Sequence, residues 1–275
     1  MALKRIIIAV IFVPCILFIA REGRIYFLIL VDVIVAGAVW EFYRMVEKSV
    51  SNPYKLIGTA GAVLLPVLLY YRMDNYIHLV LTAIIIGIIV TELCRRGRKF
   101  YVYNISVTLF GVFYVGWLGS HILLIREIPV SMVGSGYREG FNFVTMLFLL
   151  TWSYDTGAYM VGRLIGKRKL FPRISPGKTL EGTIGGVLLA VAGILVARVY
   201  IFRFLEIWEA VALALIISAA GQTGDLVESM IKRDMNRKDS SNTIPGHGGM
   251  LDRFDSMLFA APVLYYILIF FLLVR

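Results

Sequence analysis

The chain alternates between long apolar blocks and short polar loops. The blocks are about 20 residues long, the length of an α-helix that crosses about 30 Å of hydrocarbon. Because backbone groups in hydrocarbon must pair within their own segment, helices are the expected form. We therefore predict an all-α, polytopic membrane protein with about nine spans. Their approximate bounds are residues 6–20, 25–43, 56–71, 76–93, 105–125, 143–164, 183–202, 207–231 and 256–274.

Composition supports the membrane assignment and excludes a soluble globular domain. Of the 275 residues, 59% are hydrophobic and 17% are charged, against about 45–50% and about 25% in soluble domains. The two cysteines, Cys15 and Cys94, lie in separate apolar blocks. They form no CxxC pair, so we expect neither a zinc site nor a disulfide framework.

The positive charge is placed in the loops. The net charge is +10, and short basic loops fit anionic lipid head groups better than nucleic acid. With nine spans, roughly 20 of the 28 Lys and Arg residues fall on the side that holds the N-terminus. This bias predicts a cytoplasmic N-terminus, an external C-terminus and a multi-pass protein of the cell inner (cytoplasmic) membrane.

Two polar loops in the second half carry the candidate chemistry, and both are predicted to face the cytoplasm. Residues 229–255 combine cations, carboxylates and glycines between two apolar blocks. Such a combination favours a site for phosphates and a divalent metal, because Mg²⁺ takes one or two protein carboxylates and Lys or Arg take the remaining phosphate charge. We therefore divide the chain into an N-terminal half, 1–142, for packing and dimer contacts, and a catalytic half, 143–275.

Helical spacing groups the acids. Asp225, Glu228, Ser229 and Lys232 follow an i, i+3, i+4, i+7 pattern and share one helix face. Gly221 and Gly224 precede this face and allow close backbone approach. Asp252 and Asp255 share a face at the start of the last span, where acids also suit the positive end of a helix. That simpler interpretation stays open beside the metal one.

The second loop, residues 166–182, ends in SPGKTLEG. Gly177-Lys178-Thr179 resembles part of a Walker A loop, but Pro172 stands where that motif requires glycine. What remains is a turn, a hydroxyl and a lysine beside a helix start, which can cradle a phosphate. Asp155, in the preceding span, is equally compatible with a site acid and with a polar group in helix packing.

The pattern from Ser229 to Asp255, SMIKRDMNRKDSSNTIPGHGGMLDRFD, resembles the signature of the phosphatidate cytidylyltransferase family. DTGAY at 155–159 and SPGKTxEG at 175–182 are similar to a second motif of that family. The resemblance implies transfer of the cytidylyl group of CTP to phosphatidate, with release of pyrophosphate and help from Mg²⁺; a second cation stays open. It also implies metal ligands, with Asp225 and Asp252 first and Asp255 next.

The other roles are hypotheses within that family reading. The proposed catalytic residues are Asp225, Lys232, Lys238, His247, Asp252 and Asp255. The proposed substrate-binding residues are Ser175, Lys178, Thr179, Ser229, Arg233, Asp239, Gly248, Gly249 and Arg253. His247 has a second interpretation as a turn residue that caps a backbone group. Glu41 and Glu92, near span ends, are expected to snorkel toward the membrane surface.

Two other functions stay open. A CTP-dependent polyprenol or phytol kinase needs similar nucleotide-binding groups, and a transporter could use the intramembrane acids. The expected partners are CTP, phosphatidate and membrane lipids, with no nucleic acid; a homodimer is a further expectation.

Overall fold

The computed structural model describes residues 2–47, 52–95, 100–132, 137–241, 243 and 248–274. Nearly all of this is helical, which confirms the predicted class. The helices are α1 (Ala2–Glu22), α2 (Arg24–Glu47), α3 (Lys55–Tyr70), α4 (Asp74–Cys94), α5 (Tyr101–Gly111), α6 (Leu118–Met132), α7 (Arg138–Ile165), α8 (Leu180–Tyr200), α9 (Ile207–Asp234) and α10 (Leu251–Val274). A π-helical segment, Val112–Trp117, joins α5 to α6.

Every predicted span overlaps a helix, and the predicted and observed ends differ by up to seven residues. The fifth span, 105–125, covers α5, the π-helical segment and part of α6. Within the described residues, six helices are long and apolar enough to cross a membrane by length and composition: Arg24–Glu47, Asp74–Cys94, Tyr101–Ile128, Leu180–Tyr200, Ile207–Asp234 and Leu251–Phe270. Lys55–Tyr70 is apolar but shorter. The count of nine spans and the orientation of the termini therefore stay predictions.

One small sheet departs from the all-α expectation. Strand β1 (Lys169–Phe171) pairs antiparallel with β2 (Ser175–Thr179), with Lys169 opposite Thr179. The strands are joined by a turn in which the Ile174 N–H donates to the Phe171 carbonyl at 3.2 Å. Pro172 occupies the second position of this turn, which its fixed φ favours. The strands are too short to show an alternating pattern, so the sequence did not reveal them.

The chain forms two compact units. The first contains residues 1–124 and 234–254, and the second contains 125–233 and 255–275. In the first unit, Tyr43 of α2 is fully buried and its hydroxyl donates to the Thr108 carbonyl at 2.6 Å. This division follows compactness; the sequence-based division at residue 142 concerns where the chemistry lies and stays a prediction.

In the second unit, glycines bring α7 and α8 together. A Cβ at Gly157 would lie 2.6 Å from the Gly185 carbonyl oxygen, and a Cβ at Gly182 would lie 2.8 Å from the Ala158 carbonyl oxygen. Larger residues at these positions would push the helices apart, since small residues are what let membrane helices approach closely. This packing places the hairpin, which joins α7 to α8, at one end of the helix pair.

Candidate active site

Helix α9 presents the predicted polar face. The Ser229 hydroxyl donates to Asp225 Oδ1 at 3.3 Å, and the Lys232 ammonium group forms a salt bridge with Glu228, four residues away. Glu228 is completely buried and Lys232 nearly so. Because a buried charge is costly unless it is paired, this ion pair accounts for two charges inside an otherwise apolar helix packing.

A third carboxylate comes from α10. Asp225, Glu228 and Asp255 each offer one oxygen, and these oxygens all lie within 4.8 Å of one another. Gly224 makes this approach feasible, because a Cβ there would lie 2.6 Å from the Asp255 carbonyl oxygen. We call Asp225, Glu228 and Asp255, with Lys178 and Lys232, the Asp225 cluster. Its carboxylate oxygens are the hard ligands that Mg²⁺ prefers, so the donor set fits such an ion.

Lys178 reaches this cluster from strand β2. Its Nζ lies 2.8 Å from Asp225 Oδ2 and 3.5 Å from the Gln222 carbonyl oxygen. The predicted lysine of the second loop and the predicted acid of α9 are therefore direct neighbours. Lysine and carboxylate are both partly exposed, so an incoming anion or cation can compete for either of them.

The hairpin that carries Lys178 is held at both ends. Thr179 caps α8, since its Oγ1 accepts a hydrogen bond from the Gly182 N–H at 3.1 Å. Glu181 accepts from the Lys167 and Arg168 N–H groups at 3.0 and 3.2 Å. At the turn, Arg233 Nε donates to the Ile174 carbonyl at 3.2 Å. These contacts fix the backbone on which Ser175 and Lys178 sit.

Asp252 belongs to the first unit, where it has its own partners. Its carboxylate accepts from the Ser240 N–H at 3.0 Å, from the Ser240 hydroxyl at 3.0 Å and from the Gly249 N–H at 2.7 Å. Gly248 has φ +79°, and a Cβ there would lie 2.6 Å from Asp252 Oδ2. Gly248 thus leaves room for this carboxylate, and Gly249 donates to it. The phosphate contacts of both glycines stay a prediction, as does metal binding by Asp252.

The remaining predicted residues divide into three cases. Lys238, Asp239 and Arg253 are exposed, as substrate-binding groups would need to be. Ser175 is half-buried in β2. His247 lies outside the described residues.

Three acids are more deeply involved in the structure than the sequence interpretation predicted. Glu228 joins the three-carboxylate group although it was not among the predicted metal ligands; its position three residues after Asp225 was the available signal. Glu41 and Glu92, expected to snorkel, are instead buried, at 5% and 2% exposure. The hydrogen-bond partners of Glu41 lie about 200 residues away in sequence, so no local pattern indicated them.

The fold and the site together define a class: a helical protein with apolar spans and a cluster of carboxylates and lysines suited to a divalent metal and phosphate groups. Residues 3–271 match the family model described as "Cytidylyltransferase family". The chain therefore belongs to the cytidylyltransferase family, whose members are nucleotidyltransferases.

Individual relatives agree with this assignment. The chain is 32% identical over 275 residues to the phosphatidate cytidylyltransferase of Bacillus subtilis, with 98% of each chain covered. It is 33% identical over 272 residues to that of Staphylococcus aureus, with 97% of each covered. It is 44% identical over 149 residues to that of Staphylococcus epidermidis, an alignment that spans only 52% of this chain and 57% of the relative.

Proposed function

We propose that this protein transfers the cytidylyl group of CTP to phosphatidate, giving CDP-diacylglycerol and pyrophosphate. The observation that carries the proposal is the grouping of Asp225, Glu228 and Asp255 within 4.8 Å, with Lys178 and Lys232 paired to two of them. Similarity to phosphatidate cytidylyltransferases along nearly the whole chain supports the choice of substrates.

The reaction requires neutralisation of phosphate charge more than it requires a protein nucleophile. A phosphate oxygen of the lipid attacks the α-phosphorus of CTP and forms the new P–O bond. The bond from that phosphorus to the oxygen bridging it to the β-phosphorus breaks, and pyrophosphate leaves in line. Both reactants are anions, so the obstacle is their repulsion, and positioned cations lower it most where charge accumulates in the transition state.

Asp225, Glu228 and Asp255 are proposed to hold a divalent cation. Asp252 is also proposed as a metal ligand, on the family resemblance alone. Mg²⁺ bound there would neutralise the phosphate oxygens and the leaving pyrophosphate. A second cation stays open. Lys178, now paired with Asp225 at 2.8 Å, would turn to a phosphate oxygen once a metal takes over the neutralisation of that carboxylate.

The other proposed catalytic and substrate-binding residues act on the phosphate groups. The hydroxyl groups of Ser175, Thr179 and Ser229 and the backbone N–H groups of Gly248 and Gly249 would donate hydrogen bonds to phosphate oxygens. Ser229 and Gly249 would do so in place of their present contacts with Asp225 and Asp252. Four cationic side chains are proposed to neutralise the phosphate charge: Lys232, Arg233, Lys238 and Arg253. Asp239 contacts the nucleotide, and His247 donates to the leaving pyrophosphate.

Position-specific labels test the reaction. Purified protein in lipid nanodiscs receives phosphatidate, Mg²⁺ and CTP labelled at either the α- or the γ-phosphorus. We expect the α-label to enter the lipid and the γ-label to appear only in pyrophosphate. Entry of the γ-label into lipid would instead identify a lipid kinase, and no lipid label from either CTP would reject both activities.

We also propose that the site faces the cytoplasm, where CTP is available. The support is the excess of positive charge on the loops of that side. The test is one cysteine at the exposed end of α9, Asp234→Cys, in a variant with Cys15 and Cys94 changed to serine. A membrane-impermeant maleimide should label it in inverted vesicles but not in intact cells; the opposite pattern would contradict the orientation.

A further inference from the structure

Glu41 is a buried carboxylate of α2 that contacts the polar segment preceding α10. It is 5% exposed. Its Oε1 accepts from the Ser241 hydroxyl at 2.6 Å. Its Oε2 accepts from the Ser240 hydroxyl at 3.1 Å and from the Leu251 N–H at 3.0 Å. One side chain therefore binds both ends of residues 240–251, the segment whose middle carries the glycines of the family motif.

The surrounding residues leave room for these contacts. Gly37 lies one turn before Glu41 on the same face of α2, and a Cβ there would meet the Met250 side chain at 3.4 Å. Gly249 is closer still, since a Cβ there would lie 2.2 Å from Glu41 Oε2 and 2.1 Å from Ser240 Oγ. The segment can therefore settle against Glu41 only with glycine at position 249.

Ser240 connects Glu41 to Asp252. Its hydroxyl oxygen lies 3.1 Å from Glu41 Oε2 and 3.0 Å from Asp252 Oδ2. A hydroxyl has one proton, so it donates to one of these carboxylates at a time. The Ser240 N–H also donates to Asp252. The position of Ser240, which Glu41 fixes, therefore determines the orientation of the Asp252 carboxylate.

We propose that Glu41 is a positioning residue for the cytidylyl transfer reaction. It touches neither substrate nor metal; it holds Ser240, Ser241 and the start of α10 so that Asp252 presents its oxygens in one orientation. The inference rests on the proposed function, in which Asp252 is a metal ligand. Groups that orient metal ligands typically change metal affinity or activity about 10–100-fold when removed.

The test is Glu41→Gln, which preserves shape but keeps only one acceptor oxygen. The amide can therefore accept either from Ser241 or from Ser240 and Leu251, but not from both sides at once. The matched control is Glu47→Gln on the same helix, where the exposed carboxylate pairs with Lys55 at 2.7 Å. We expect Glu41→Gln to raise the half-saturating Mg²⁺ concentration about tenfold and to lower kcat more than it raises KM for CTP. Glu47→Gln should match wild type in all three quantities.

A second readout does not need turnover. Mn²⁺ binding in nanodiscs, followed by electron paramagnetic resonance, should weaken by a similar factor in Glu41→Gln and stay unchanged in Glu47→Gln. If wild-type protein transfers no label, the proposed function fails, but the Mn²⁺ comparison still decides whether Glu41 acts on the metal site. Unchanged Mn²⁺ binding and Mg²⁺ dependence, with only a lower melting temperature, would reduce Glu41 to a structural role and overturn the proposal.

Ser240→Ala keeps the proposal testable if Glu41→Gln does not fold. It removes the shared hydroxyl but leaves Glu41 and the N–H contact to Asp252. We expect the same direction of change in Mn²⁺ affinity, but smaller. Where both variants fold, the double variant should be little worse than Glu41→Gln alone, because the two changes interrupt one connection. Fully additive losses, or wild-type affinity in Ser240→Ala, would contradict a route through Ser240.

Discussion

The three clustered carboxylates of the second unit and Glu41 of the first unit are held in opposite ways. In the second unit, Asp225, Glu228 and Asp255 crowd within 4.8 Å, and lysines balance two of them. In the first unit, Glu41 accepts hydrogen bonds from neutral donors, two hydroxyls and one N–H. An acid that is hydrogen-bonded by neutral donors can keep the same contacts before and after substrate binds. Acids that crowd each other keep a demand for cations, which a metal ion can meet during a reaction.

The largest effect should follow from Asp225→Asn, which tests whether the crowded acids are the reactive ones. The amide keeps the shape but loses the charge that attracts a metal and Lys178. We expect transfer to fall by at least about 100-fold, the upper end of what changes to supporting groups cause, with the protein still folded in detergent. The activity is measured by label transfer from α-labelled CTP.

The control for this variant is Asp234→Asn, an exposed aspartate at the end of the same helix. It should retain wild-type activity. Near wild-type transfer by Asp225→Asn would show that this residue is not a metal ligand. The contrast between the clustered acids and Glu41 would then have no bearing on function.

Much of this contrast could be predicted from the sequence, because it depends on helix periodicity. The spacing of Asp225, Glu228, Ser229 and Lys232 placed them on one face of α9, and their contacts in the structure agree. Gly224 was likewise expected to allow close approach, and it does.

The rest depends on pairings that no local pattern encodes. Glu41 meets Ser240, Ser241 and Leu251 across about 200 residues of chain. A lone glutamate at a span end looks the same whether it snorkels or is buried, since its own neighbours in sequence do not differ. The short hairpin was missed for a related reason: its three-residue first strand shows no periodicity.

The next largest effect should come from Lys178→Met, which removes the charge of the lysine but keeps most of its length. Asp225 then loses its ion-pair partner and the incoming phosphate loses a cation. We expect a loss of about 10–100-fold in kcat/KM for CTP, as for other groups that support a metal ligand. Lys169→Met, an exposed lysine on the neighbouring strand, should behave as wild type. Unchanged kcat and KM in Lys178→Met would mean that the hairpin does not take part in the active site.

Metal addition should stabilise the wild type more than a variant lacking a site acid. A ligand that binds only the folded state stabilises it by about 2.7 kcal/mol at 100 times its Kd. Thermal unfolding in detergent, with EDTA and then with excess Mg²⁺, should therefore show a rise in Tm for wild type. Asp255→Asn should show a smaller rise or none. Equal rises in both proteins would mean that Mg²⁺ binds elsewhere.

The smallest functional effect, with a clear cost in stability, should come from Glu92→Gln in the first unit. Glu92 is 2% exposed and accepts from the Tyr54 hydroxyl at 2.5 Å and from Asn104 Nδ2 at 3.0 Å. Arg95 Nη1 also lies 3.9 Å from Glu92 Oε2. Burial, and then the hydrogen bond to Glu92, raise the pKa of Tyr54, so the phenol stays a donor.

The glutamine amide of the variant keeps only one of the two acceptor oxygens of Glu92, and an unsatisfied buried group costs about 1–3 kcal/mol. Unfolding in denaturant should show that loss, while the half-saturating Mg²⁺ concentration stays at the wild-type value. A changed Mg²⁺ requirement here would mean that Glu92 also affects metal binding, and that the two units differ less than their contacts indicate.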